Sequence, residues 1–227
     1  MKEGDQIEFK KWEGTGNTFI VIDDREDVVE DLENEVVHRI CSEQGSDGMI
    51  FVRPAKSPSA DLFCDFRNPD GSRSFCGNGT RATYAYARRE GWVGDEAVLE
   101  ACDGLHKVRW NKEYSLPSVQ FESVDTPSNS DGDWFVNTGS PHHIIIVSDT
   151  QALESFDIEK IGAEIRYSQK YASIGGANVS GLTRTADPST IYLRTYERGV
   201  EAETRACGTG AVAAALIDHT CNGGISR

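Results

Sequence analysis

Ser74-Phe75-Cys76-Gly77-Asn78-Gly79-Thr80-Arg81 (SFCGNGTR) places a thiol between an apolar residue and two glycines, just ahead of an Ala/Tyr-rich run. Arg205–Ala211 (RACGTGA) repeats the arrangement late in the chain: Cys207, then Gly208, Thr209 and Gly210, then an alanine-rich run. Working outward, each CG-x-G corner is preceded by strands and followed by a helix. Before the first corner, FKKWEGTGNTFIVIDD reads as a strand, a turn and a strand at 18–22. A helix over 32–42 ends at Gly45, and MIFVRP and ADLFCDFR read as two further strands. TRATYAYARREG is helical up to Gly91, and short strands follow near 97–101, 105–110 and 117–122. The polar, Pro/Ser/Asn/Asp/Gly-rich stretch ESVDTPSNSDGDW (122–134) is the expected linker. Beyond it come a strand through Val136, the turn NTGSPHH, the apolar run IIIV (144–147) as a buried strand, and a helix over 157–166. Then follow the segment GGANVSGLTR, a strand at 190–196, the loop ERGVEAET and the helix after Cys207. The two halves rhyme, which points to an internal duplication: an N-terminal domain over 1–122 carrying Cys76 and a C-terminal domain over 130–227 carrying Cys207.

At 227 residues the chain is comfortable for two domains. A formal net charge of −14 disfavours polyanions, so neither nucleic acid nor an anionic membrane is expected as a partner. The N-terminus has no apolar core of signal-peptide length, and no run approaches the roughly 20 apolar residues of a membrane span. The expected location is the cytoplasm. The six cysteines show no C-x-x-C spacing and no zinc-like array with histidine, so no metal is expected. Cys41, Cys64, Cys102 and Cys221 read as small buried hydrophobes; Cys76 and Cys207 alone share a setting.

A cysteine at the start of a helix lies near the positive end of the macrodipole and near backbone N–H groups that lack intrahelical partners. Both favour thiolate and are expected to lower the thiol pKa. Flanking glycines allow close approach of a ligand, and the N–H groups can receive a carboxylate. Two such corners, one per domain, suit inversion of a stereocentre beside a carboxylate. One thiolate removes a proton from one face of the carbon and the opposed thiol delivers another, while the helix N-termini stabilise the developing charge. The geometric expectation is that the two sulfurs oppose each other across an interdomain cleft one α-carbon wide.

Five stretches in order resemble the diaminopimelate epimerase family: KWEGTGNTFIVID, RNPDGSRSFCGNGTR, NTGSPHH, GGANVSGL and YERGVEAETRACGTGA, together spanning residues 9 to 214. The resemblance implies an α+β fold of two similar, pseudo-symmetric domains, each a curved, mostly antiparallel sheet wrapped around a central helix, with the substrate between them. It implies a cofactor-independent epimerase that converts LL-2,6-diaminopimelate to the meso isomer for lysine and peptidoglycan synthesis. Cys76 and Cys207 match the family's acid/base pair, and His142 and Glu197 match residues that assist the proton transfers. Asn17, Asn68, Ser140, Asn178 and Arg198 match substrate-binding positions. Gly77, Asn78, Gly208 and Thr209 match its backbone donors. Family members often dimerise, so a homodimer is a further expectation.

Each of these residues also has a plainer reading. Glu197 and Arg198 could be a surface ion pair, His142 a hydrogen-bonded loop histidine like its neighbour His143, and Asn17 and Asn68 turn formers. Ser140 stands where many members have Asn, which loosens the expected substrate contact there. Only CNGGISR follows the last helix, so the C-terminal domain is expected to lack its final strands. Two alternatives to the diaminopimelate reading remain. One is another isomerase of the same superfamily, proline racemase-like or phenazine-biosynthesis-like. The other is a non-catalytic thiol protein that binds a ligand or senses redox state through a reversible disulfide.

Overall fold

The computed structural model describes residues 7–121, 124–187 and 189–222. The chain forms two compact units, Met1–Phe121 and Glu122–Arg227.

In the first unit, β1 (Lys10–Gly14), β2 (Asn17–Asp23), β3 (Gly48–Arg53), β4 (Leu62–Arg67), β5 (Glu96–Ala101), β6 (Gly104–Asn111) and β7 (Leu116–Val119) form one sheet in sequence order. β2–β3 and β4–β5 pair in parallel and the other four neighbours antiparallel. The parallel β2–β3 pair requires a crossover, which α1 (Asn34–Gln44) supplies; Gly45 closes that helix in the left-handed conformation. Helix α2 (Gly77–Arg89) contacts β1 to β5 and β7. A flat seven-stranded sheet holds its edges about 29 Å apart, more than twice the ~10 Å width of a helix. The sheet is therefore curled around α2. Gly77, Gly79, Thr80, Ala82, Thr83 and Ala87 are buried along α2, and their small side chains let strands approach from several directions.

The alternation of β2 and β3 assigns two cores. Phe19, Val21, Ile50 and Val52 face α2 with Tyr84 and Leu99, while Ile20, Ile22, Met49 and Phe51 pack with Val37 and Cys41 of α1. Both faces are covered, so these strands read as continuous apolar runs.

In the second unit, β8 (Ser128–Ser130), β9 (Asp133–Asn137), β10 (Pro141–Ile146), β11 (Asn178–Arg184), β12 (Ile191–Glu197) and β13 (Ala202–Thr204) form a six-stranded sheet in order β13-β12-β11-β10-β9-β8. Only β10–β11 is parallel. Its crossover carries α3 (Thr150–Glu154), α4 (Ile158–Arg166) and a 3-10 turn (Gln169–Ile174). Helix α5 (Gly208–Asn222) packs on β9 to β12 through Ala213, Ala214 and Ile217, against Val136, Ile144 and Leu182. On the opposite face Ile158 of α4 meets Val179 and Tyr196. Hairpin, crossover, hairpin and central helix thus occur in both units, and the order β1-β2-α1-β3-β4-α2 is matched by β9-β10-α3/α4-β11-β12-α5.

Several expectations change. The 122–134 stretch is partly strand, because Ser128–Ser130 pairs with β9 as a hairpin; Glu122 and Ser123 lie outside the described residues. NTGSPHH is a turn only through Ser140, since Pro141, His142 and His143 already belong to β10. The run at 144–147 is not wholly buried: Ile144 is inaccessible, but Ile146 is 47% exposed where β10 has run past the end of β9 while still paired with β11. Part of ERGVEAET is β13. Cys41 and Cys64 are buried, whereas Cys102, in the turn after β5, and Cys221, at the end of α5, are exposed. The expectation about missing final strands concerns positions past Asn222, and residues 223–227, like residues 1–6, lie outside the described ones.

Candidate active site

Strand direction gathers the candidate residues of each unit at one end of its sheet. In the second unit His142 is the second residue of β10 and pairs with Asn178, the first residue of β11. β12 runs back against β11, so its last residue, Glu197, and the following Arg198 arrive at the same end. There α5 begins, with Cys207 immediately before it. In the first unit, Asn17 opens β2, and Asn68 follows the end of β4, whose Arg67 pairs with Met49 at the start of β3. Cys76 caps α2.

At the first corner Cys76 Sγ accepts from Gly79 N–H at 3.3 Å, taking one of the amides a helix N-terminus leaves over. Asn78 is buried and its Nδ2 donates to Asn17 Oδ1 at 2.8 Å, so these two predicted residues meet across 61 positions of sequence. Asn68 is held in its turn: Nδ2 contacts the Ser72 carbonyl and the Ser72 and Ser74 hydroxyls at 3.0–3.1 Å. Gly77 is buried; a Cβ there would come within 3.3 Å of the Phe121 ring, and Phe75, the residue before the cysteine, stacks on His106.

At the second corner the polar side chains form one connected set. Asn178 Nδ2 donates to Ser140 Oγ at 2.8 Å and to the Pro141 carbonyl at 3.0 Å, while Oδ1 accepts from Arg198 N–H at 2.8 Å. Ser140 therefore braces Asn178. Arg198 Nη1 reaches the Ile174 carbonyl at 3.3 Å. Burial, and then the neighbouring Arg166, hold the Arg198 pKa below its usual value, so the guanidinium favours an added anion. Glu197 Oε2 accepts from Thr204 Oγ1 at 2.8 Å. His142 is fully buried, with Nε2 2.8 Å from Thr209 Oγ1. Burial, with a smaller push from Arg198, lowers its pKa to about 3, so the ring is neutral at physiological pH. Gly208 opens α5 half-buried beside Cys207.

The Cys207 thiol departs from expectation. Its neighbours do pull the pKa down: the Thr209 hydroxyl at 3.5 Å and the amides of Gly210 and Thr209 all favour thiolate. Burial outweighs them, the Glu197 carboxylate adds to it, and the pKa is pushed up to about 11. The Cys207 thiol is therefore protonated at physiological pH.

Sequence reasoning passed over three contributors. Thr138 Oγ1 donates to the Thr209 carbonyl at 2.9 Å and pins the first turn of α5. Thr204 holds Glu197. Gly210 lies where a Cβ would stand 3.2 Å from Cys207 Sγ and 3.3 Å from His142 Cε1, which explains the second glycine of that corner. Only Gly210 was visible beforehand, as the last residue of CG-x-G. His143 faces the other side of the sheet, bonded to the Tyr171 hydroxyl at 2.7 Å, and belongs to the packing there.

Two curled α+β units, each with a glycine-flanked cysteine at the start of its central helix, make a fold that a solved proline racemase and a solved hydroxyproline epimerase share. A phenazine-biosynthesis protein of the PhzF family from Bacillus anthracis superposes with a TM-score of 0.71 at 15% identity, covering 97% of this chain and 82% of its own. A hydroxyproline epimerase from Agrobacterium vitis gives 0.64 at 14% identity, covering 100% and 80%. The sequence is more specific than the fold: the chain belongs to the diaminopimelate epimerase family, whose model matches residues 9–124 and 134–225. The Flavobacterium psychrophilum diaminopimelate epimerase is 37% identical over 210 residues, 91% of this chain and 79% of that protein. Those of Aquifex aeolicus and Archaeoglobus fulgidus are each 34% identical over 94% and 93% of this chain and 81% of their own lengths. Among the described residues no helix is long and apolar enough to cross a membrane.

Proposed function

We propose that the protein epimerises LL-2,6-diaminopimelate at one α-carbon to give the meso isomer, with Cys76 and Cys207 as the two acid/base groups and no cofactor. The observation that carries this reading is the equivalence of the two cysteines. Each sits immediately before the central helix of its own unit, in a CG-x-G corner, at the sheet end where the other polar candidates gather. One thiolate takes the α-proton while the thiol on the opposite face supplies another, and the roles exchange in the reverse direction. A raised thiol pKa at Cys207 suits the donor half of that cycle. The amides of Gly77, Asn78, Gly208 and Thr209 receive the carboxylate next to the reacting carbon, where charge develops. Arg198 takes a second carboxylate through its fork, with Asn17, Asn68, Asn178 and Ser140 supplying amide and hydroxyl contacts to the substrate's polar groups. His142 and Glu197 tune the thiols. The reaction belongs to the cytoplasm, with a small amino acid as partner, and a homodimer is the oligomeric state to look for.

The test is isotopic. Purified protein with LL-diaminopimelate in deuterated water, without pyridoxal phosphate or metal, is expected to place deuterium at one α-carbon and yield the meso form. Cys76→Ala and Cys207→Ala are each expected to lose at least about a hundredfold in exchange, the lower end of what a positioned acid or base contributes. Full turnover by either variant refutes the two-thiol mechanism.

A further inference from the structure

The family motif assigns Thr209 only a backbone role. Its side chain, however, stands between two groups of the candidate site. Oγ1 lies 2.8 Å from His142 Nε2 and 3.5 Å from Cys207 Sγ. A hydroxyl has one hydrogen and donates it to one acceptor at a time. Asn178 Nδ2 is 3.4 Å from the same Nε2, but it directs its two hydrogens to Ser140 and Pro141 at shorter range. His142 Nδ1 has no hydrogen-bond partner among the described residues. The Thr209 hydroxyl is thus the short-range hydrogen-bond partner of Nε2, and its donor or acceptor role is linked to the ring tautomer.

We propose that the Thr209 hydroxyl couples the protonation state of the Cys207 thiol to the tautomer of the His142 ring. With Cys207 protonated, the hydroxyl donates to Nε2 and the ring hydrogen sits on Nδ1. Once Cys207 has given its proton to the substrate carbon, the thiolate is the stronger acceptor, and the hydroxyl turns to sulfur. Nε2 then faces the hydroxyl's lone pairs, and the tautomer with hydrogen on Nε2 is favoured; Nδ1 gives its hydrogen to solvent and Nε2 takes one from solvent, an exchange that follows the transfer to carbon and does not accompany it. The ring is neutral in both states, so the only net proton lost is the one delivered to carbon. Burial keeps the ring out of its charged form throughout. The charged groups around this trio are Glu197 at the end of β12, which raises the thiol pKa, and Arg198 just beyond it, which disfavours imidazolium. Of the others on elements packed against α5, Asp133 and His143 pair on the far face of the sheet, Arg184 binds Asp218 further along the helix, and Arg194 binds Glu203. Thr209 is therefore a positioning residue: it acts through sulfur and imidazole.

The catalytic consequence rests on the two-thiol reading; the coupling itself rests on the geometry of one unit. At pH 8.5, Thr209→Val is expected to slow iodoacetamide alkylation of Cys207, read by peptide mass, by about tenfold, one unit of thiol pKa. Thr209→Ser is expected to restore it. In turnover, Thr209→Val is expected to lower kcat while KM changes less than about threefold, because the hydroxyl serves the proton transfer and not ground-state binding. As a second arm, 15N spectra of His142 are compared at pH 7.5 between the wild type and Cys207→Asp, which puts a carboxyl group beside Oγ1 whose ionisation is read from its 13C shift. The expected result is hydrogen on Nδ1 in the wild type and on Nε2 in the variant. Unchanged alkylation in Thr209→Val, or the same tautomer in both proteins, overturns the coupling. Neither readout requires turnover, so a wild type that exchanges no deuterium removes the epimerase reading and leaves the coupling to stand or fall by itself.

Discussion

Gly210→Ala distinguishes a glycine kept for its close contacts from one that merely starts a helix. A methyl group at 210 would stand 3.2 Å from Cys207 Sγ, 3.3 Å from Cys207 Cβ and 3.3 Å from His142 Cε1. Carbon contacts are comfortable at about 3.5–4.0 Å, so thiol and imidazole must separate from the helix by a few tenths of an ångström. Replacing glycine in a helix gains at most about 1 kcal/mol. Overpacking costs about 1–3 kcal/mol. The net expectation is destabilisation of up to about 2 kcal/mol, and since a 1 Å misplacement can cost about a hundredfold, a loss of about tenfold in exchange rate. The counterpart in the other unit supplies the control. At Gly79 the same methyl would meet Cys76 Cβ, Cys76 Sγ and Phe66 Cδ2 all at 3.4 Å, at the near edge of ordinary contact. Gly79→Ala is therefore expected to be neutral or slightly stabilising, with the smaller rate loss of the two. Urea unfolding gives the stability difference, and α-deuterium incorporation into LL-diaminopimelate gives the rate. The reasoning fails if Gly210→Ala keeps both the wild-type rate and the urea midpoint, or if Gly79→Ala is the more damaged protein.

Two further outcomes concern stability. Asp65 is 1% exposed and accepts from Arg73 Nε at 2.8 Å, with Arg53 Nη1 at 3.2 Å and Arg67 Nε at 3.4 Å. Asp65→Ala leaves the three guanidinium groups with Asp31, and Arg53 with Asp24 as well, so it is expected to cost about 1.5–3 kcal/mol in urea unfolding, the range of a hydrogen bond to a charged group, against under about 1 kcal/mol for Asp23→Ala, whose partner Arg25 is exposed. Equal costs would sink the network argument. Burial raises the folded thiol pKa of Cys41 to about 11 and of Cys64 to about 12. An unfolded thiol titrates near pH 8.5 (approximately). Above that the unfolded chain sheds protons that the folded protein keeps, so stability is full below pH ~8.5 and is lost as pH rises toward the folded values. Between pH 8.5 and 10.5 these two thiols are expected to account for a loss of about 4–5 kcal/mol, to which the raised Cys207 thiol adds, and the profile is expected to be shallower in Cys64→Ala. A flat profile across that range would contradict it.

Much of the scaffold was legible because its signals are local. Alternating apolar residues, Gly45 after a helical pattern and Asn68-Pro69-Asp70-Gly71 before the first corner each act within a few residues. β8 was not legible: Ser128–Ser130 carries no apolar residue and is a strand only because β9 offers it an edge. Pro141–His143 looked like turn for the same reason in reverse; the turn chemistry ends at Ser140, and pairing with β9, joined from His142 on by pairing with β11, draws the next three residues into the sheet. The exposure of Ile146 likewise follows from where β10 runs past the end of β9.

The sequence by itself determined the family and the repeated corner that carries Cys76 and Cys207, since order and spacing along the chain are enough to recognise both. Only the tertiary structure decided what the second corner is electrically. Proximity to a helix N-terminus argued for an acidic thiol at Cys207, but burial and a carboxylate ten residues earlier in sequence reversed the sign. It also decided that Thr209 contributes a hydroxyl, and that Ser140 holds Asn178. Desolvation and charge act through space, and the residues that exert them here come from strands whose neighbours are set by sheet register and not by position in the chain.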